Sequence, residues 1–238
     1  MAIERQIILH EGPGGTFESM AVHDPAQSGQ PGILLFPNFL GTKEWDFAKA
    51  EGLAAQGYKV LVVDYYGQGK RGTDMDSGGA LMTELTADRA VMRDRLLGAL
   101  AALRSVPGVD AKKIAAIGFC LGGKCVIDLV RSGADILGGV SFHGLYDAPP
   151  FPNGKITAKL LVLHGWNDPF CPVDATVGLA KEMTEAGVDW QLHSYGHTGH
   201  AFTANDVPET PDKTFGFQPT TDRRAWQAMH NFFDEIFA

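Results

Sequence analysis

The run Ala115-Ala116-Ile117-Gly118-Phe119-Cys120-Leu121-Gly122-Gly123-Lys124 constrains the fold of this chain more than any other stretch. An apolar, strand-like segment ends in Gly-x-Cys-x-Gly and passes without a loop into a helix-like segment, Cys120 to Arg131. A turn that abrupt strains its central residue, and glycines two positions either side remove the side chains that would collide. It also sets the Cys120 thiol at a helix N-terminus, where the macrodipole and free N–H groups favour a thiolate. The competing reading is a buried structural cysteine beside a chance cluster of glycines, since free cysteine is among the most buried residue types.

Around this turn, strand-like and helix-like segments alternate. Arg5–His10 and Thr16–Val22 read as short antiparallel strands joined at Gly12-Pro13-Gly14-Gly15. Apolar runs at Gly32–Phe36, Lys59–Tyr66, Lys113–Phe119, Leu137–Phe142 and Lys159–His164, with Asp189–Tyr195, predict further strands. Helical periodicity covers Glu44–Gln56, Thr86–Leu103, Cys120–Arg131, Val173–Ala186 and Asp222–Phe237. Gly67–Thr83 and Thr203–Thr221 read as the longest irregular stretches, lengths typical of lids and pocket walls. The alternation predicts one α/β domain over residues 1–238, a mostly parallel sheet with helices on both faces.

Composition narrows the function. A formal charge of −8 and the lack of basic clusters interleaved with aromatics argue against nucleic acid and anionic membrane as partners. No apolar run approaches a membrane span, and Met1-Ala2-Ile3-Glu4-Arg5 lacks the pattern of a signal peptide. Three cysteines do not make a disulfide framework, and Cys120 and Cys125 fit neither a redox nor a zinc spacing. The expected compartment is a reducing cytoplasm. Gly67-Gln68-Gly69-Lys70-Arg71-Gly72 spells a dinucleotide-loop pattern, but Asp74, Asp76, Ser77, Gly78 and Gly79 follow it, so no helix is expected to open there. It reads as a glycine-rich turn. Neither a cofactor nor a metal is expected.

A thiol nucleophile needs a base, and the base an orienting acid. Leu160–His164 runs into a turn carrying Asp168, and the last strand runs into a loop carrying His197 and His200. Asp174 is a rival acid, and His197 a rival base that otherwise lines the pocket.

Taken together, Gly118-Phe119-Cys120-Leu121-Gly122-Gly123, His164-Gly165-x-x-Asp168 and Gly199-His200-Ala201-Phe202 resemble the dienelactone hydrolase family. Pro37-Asn38-Phe39-Leu40-Gly41 stands where that family has its oxyanion loop, and the resemblance runs from about residue 15 to the C-terminus. It implies an α/β-hydrolase fold, with Cys120 as nucleophile, His200 as base, Asp168 as orienting acid, and the backbone N–H groups of Leu121 and Phe39 as oxyanion hole. Two departures stand out. Asn38 replaces the family's glutamate, and Ala204 replaces a carboxylate-binding arginine; Arg71, Arg89 and Arg93 are the substitutes at hand.

The resemblance implies an ester or lactone hydrolase working through a thioester, on small neutral substrates, with activated esters and phosphotriesters as side substrates. Asn38, Trp166 and His197 are candidate substrate contacts, while His143 is expected to pack structurally. A monomer or a homodimer fits equally. The alternative class is a non-catalytic redox sensor or ligand-binding protein on the same fold, its elbow thiol open to oxidation.

Overall fold

A computed structural model describes residues 2–238 of the chain. Its contacts divide into two compact units, one ending at Ile117 and one beginning at Gly118. The first opens with the hairpin β1 (Glu4–Gly12) and β2 (Gly15–His23), paired antiparallel in the register Gly12↔Gly15 to Glu4↔His23. The strand β3 (Gln30–Phe36) follows, then the helix α1 (Glu44–Ala54) and the strand β4 (Lys59–Val62), which lies parallel to β3 and antiparallel to β2. The helices α2 (Met75–Ala87) and α3 (Arg89–Ser105) lead to β5 (Val109–Phe119). The strand order in this unit is β1-β2-β4-β3-β5. Continuous burial of Ile33–Phe36 and Val60–Val63 explains why these runs lack polar alternation.

Three sequence expectations change here. Gly67–Thr83 is not irregular throughout, and Thr86–Leu103 is not one helix. A helix does open after the glycine-rich turn: Asp74 accepts the Ser77 N–H at 2.8 Å, completing a capping box that starts α2. The Asp74 carboxylate fills that N-terminus with negative charge, which disfavours a phosphate there. Asp88 then accepts the Ala90 and Val91 N–H groups, each at 3.0 Å, and starts α3 anew. The expected strand over Lys59–Tyr66 stops at Val62, because Asp64 draws the backbone away by accepting the Glu18, Tyr66 and Gly67 N–H groups.

The second unit holds α4 (Leu121–Arg131), β6 (Gly138–Phe142), β7 (Lys159–Gly165), α5 (Val173–Glu185), β8 (Trp190–Tyr195) and α6 (Pro219–Ile236). Its strands run β6-β7-β8, all parallel. Every residue of α4 is buried, and α6 buries Ala225, Met229, Phe232 and Phe233. At about 1.5–3 kcal/mol per large apolar side chain, burial outweighs the poor helix propensity of Gly122 and Gly123. The charges on α4 are paired. Lys124 binds both Asp147 oxygens at 2.6 Å, and Arg131 reaches Asp128, Glu182 and the carbonyls of Tyr146 and Asp147. These bonds anchor the loop after β6, which has no regular structure of its own.

Candidate active site

Parallel strands deliver their following loops to one edge of a sheet, and that edge is where such folds place chemistry. Phe119 ends β5 and Cys120 follows at φ 56, ψ −115, a left-handed conformation rare for a side chain with a Cβ. Gly118 explains how the turn closes: a Cβ there would lie 2.1 Å from the Gly122 carbonyl oxygen. The Cys120 N–H donates to the Phe142 carbonyl at 3.1 Å, hanging the turn on the end of β6. Leu121 is fully buried as the first helical residue, and the Cys120 thiol is half-buried at the positive end of α4.

The β7 loop supplies the acid. The Trp166 and Asn167 N–H groups donate to the Tyr195 and Thr198 carbonyls, so this turn is laced to the loop after β8. Asp168 is buried, with Oδ2 2.7 Å from His200 Nδ1, while Oδ1 accepts the Phe170 N–H at 2.9 Å. Asp174, the rival acid, is exposed in the first turn of α5.

The loop after β8 holds His200 by its backbone. Its N–H donates to the Thr214 carbonyl at 2.8 Å, and its carbonyl accepts the Gly216 N–H at 2.9 Å. A Cβ on Gly199 would fall 2.0 Å from the Thr214 carbonyl carbon, so only glycine permits this approach. Burial by itself would lower the His200 pKa. The Cys120 charge and hydrogen bonds to Asp168 and Cys120 overcome that and push it up to about 10. With Nδ1 turned to Asp168, Nε2 is the nitrogen left for Cys120. The arrangement sets the imidazole between the Asp168 carboxyl group and the Cys120 sulfur.

Three aromatic neighbours enclose the His200 ring. Phe215 stacks on it at 5.8 Å, and Phe170 and His143 meet it edge-on at 5.0 Å each. His143 follows β6 at φ 38, is buried, and pairs its Nε2 with Thr203 Oγ1 at 2.8 Å. Burial and the neighbouring His200 charge hold its pKa well below the usual histidine value, so it is neutral. Beneath the acid, His164 Nδ1 lies 3.2 Å from the Tyr146 hydroxyl. Burial pushes the Cys171 thiol up to about 12 and leaves it unreactive, and Cys125 is core. Phe170, Phe215 and Thr203 carry no sequence signal, because aromatic and hydroxyl residues in loops belong to no motif.

Of the remaining candidates, Trp166 is 49 % exposed and edge-on to His164. His197 is exposed, and its carbonyl accepts Gln218 Nε2 at 3.0 Å. In the first unit, Asn38 Oδ1 accepts the Leu40 N–H at 3.0 Å, while the Tyr65 and Tyr66 hydroxyls donate to the Asn38 and Phe39 carbonyls. The Asn38 side-chain oxygen is thus engaged by its own loop. Arg71 lies 3.4 Å from Asp64, and Arg93 pairs with Asp94. Among the described residues, no three His, Cys, Asp or Glu side chains converge as a metal site.

Comparison with known proteins adds the family. Residues 18–237 match the dienelactone hydrolase family. The solved structure of m3DLH is 34% identical, with a TM-score of 0.94 over 100% of both chains. The dienelactone hydrolase-like promiscuous phosphotriesterase P91, from metagenomic libraries, is 30% identical, with a TM-score of 0.89 over 99% of each chain. The Caenorhabditis elegans protein K02A2.1 is 33% identical over 162 residues, which is 65% of this chain and 100% of that one.

Proposed function

Because the chain belongs to the dienelactone hydrolase family, a family of lactone and ester hydrolases on the α/β-hydrolase fold, we propose that it cleaves neutral esters and lactones with Cys120 as nucleophile, His200 as proton carrier and Asp168 as orienting acid. The observation that carries this is the 2.7 Å hydrogen bond between buried His200 and Asp168, beside the half-buried Cys120 thiol at the start of α4. The Cys120 thiolate attacks the carbonyl carbon, and charge gathers on the carbonyl oxygen. The Leu121 N–H, free of any intrahelical acceptor at the start of α4, receives it. Collapse expels the leaving oxygen, which takes the proton from the His200 imidazolium. Water then attacks the thioester and yields its proton to His200; the acid leaves and the thiolate is restored.

A thiolate is also a good leaving group, so activated esters and lactones suit this site better than amides. The resemblance to P91 supports phosphotriesters as side substrates, since a tetrahedral pocket for an oxyanion also accepts a phosphoryl centre. The test is p-nitrophenyl ester turnover together with iodoacetamide alkylation across pH. Cys120→Ala should abolish turnover, and His200→Ala should move Cys120 alkylation to higher pH. A thiol indifferent to His200 would mean that the two do not act as a pair.

A further inference from the structure

We infer that Phe170 is a specificity-determining residue that receives the leaving group, and that with Phe215 it favours flat aromatic leaving groups over aliphatic ones. This rests on the acyl-transfer reading above. In that reaction His200 donates a proton to the departing oxygen, so the leaving group must lie within hydrogen-bond reach of the imidazole. The ring offers little room: Asp168 takes Nδ1, and His143, itself 2 % exposed, closes one side. Phe170 differs from the other neighbours. It lies 5.0 Å from the His200 ring and is 57 % exposed, so it borders both the proton donor and solvent.

A single exposed phenylalanine is ordinary on a protein surface. This one is held in place by the reaction machinery: its N–H binds Asp168 Oδ1, on the carboxylate that orients His200. Phe215 stands 6.4 Å from it at 78°, so the two rings form an aromatic corner beside the imidazole. The hydrogen bonds flanking Phe215, from His200 to Thr214 and from Gly216 to His200, hold the second wall against the same loop. A planar apolar group entering this corner gains edge-to-face contact with both rings. A small aliphatic alcohol fills it poorly.

The test compares esters sharing one acyl group, aryl leaving groups (phenyl, 2-naphthyl) against an aliphatic one of similar acidity (hexafluoroisopropyl). Phe170→Ala should lower the aryl-to-alkyl ratio of kcat/KM about tenfold, the size of one aromatic contact. Phe170→Leu should fall between, and Phe170→Tyr should restore the ratio. The pH profile of kcat/KM should stay with the wild type. Equal loss on both ester classes, a shifted pH profile, or an unchanged ratio would each overturn the inference. Calorimetry with 2-naphthol separates this idea from the triad assignment. If Cys120→Ala retained esterase activity while Phe170→Ala lost naphthol binding, the triad would fall and the aromatic contact would stand. Naphthol binding indifferent to Phe170 would overturn the contact itself.

Discussion

His200 Nδ1 and Asp168 Oδ2 are 2.7 Å apart in a buried pocket, on loops that follow different strands. The bond fixes which imidazole nitrogen faces Asp168, and so which is left for the sulfur. Asp168→Asn keeps the shape but removes the charge. It should lower kcat/KM by about 10²–10⁴-fold while leaving the fold intact by circular dichroism.

The pH dependence of stability follows from the Cys120 charge together with this bond. The His200 pKa is raised from 6.5 to about 10, so the charged imidazole stabilises the fold fully below pH 6.5. That contribution is lost as pH rises towards about 10. Thermal unfolding of wild type against His200→Gln across this window should show the difference between them shrinking as pH rises.

His143 has the opposite sign. Its pKa is held well below 6.5, so the fold favours the neutral ring, and the stability gained is present above pH 6.5 and lost as pH falls. Replacing it with Gln should flatten the acid limb of the stability curve below pH 6.5. An unchanged limb would assign the acid sensitivity to other groups, His164 among them.

Backbone strain at Cys120 predicts a strong preference for glycine over alanine. Cys120 is the N-cap of α4, where glycine is already favoured over alanine, and at φ 56 the Cβ adds strain to that preference. Cys120→Gly should be more stable than Cys120→Ala by about 1–2 kcal/mol in urea unfolding, and both should be inactive. At Gly118, where a Cβ meets the Gly122 carbonyl at 2.1 Å, alanine should cost more than about 3 kcal/mol.

Arg131 tests the support beneath the site. Its guanidinium serves Asp128, Glu182 and two carbonyls of the loop after β6. Arg131→Met leaves buried acceptors unpaired and should destabilise by about 3–5 kcal/mol in chemical denaturation. A loss under about 1 kcal/mol would show that the loop is held by other contacts.

Local signals in the chain carried much of this. Gly-x-Cys-x-Gly between an apolar run and a helical one dictates a turn with its centre at positive φ, because only that conformation joins the two segments so abruptly. The order of motifs pointed to Asp168 and His200 because each sits a few residues past a buried strand. The start of α2 was legible too, in Asp74 and Ser77 at capping-box spacing, but the glycines around them read as loop.

Only the tertiary structure decided what surrounds the imidazole. Phe170 and Phe215 are forty-five residues apart in sequence and 6.4 Å apart as rings. Whether His143 packs idly or borders His200 depends on how β6 and the loop after β8 come together, as does the charge on either ring. Sequence specifies backbone turns because their sterics are local. Burial, pKa and neighbourhood are sums over distant residues, and those exist only once the chain has folded.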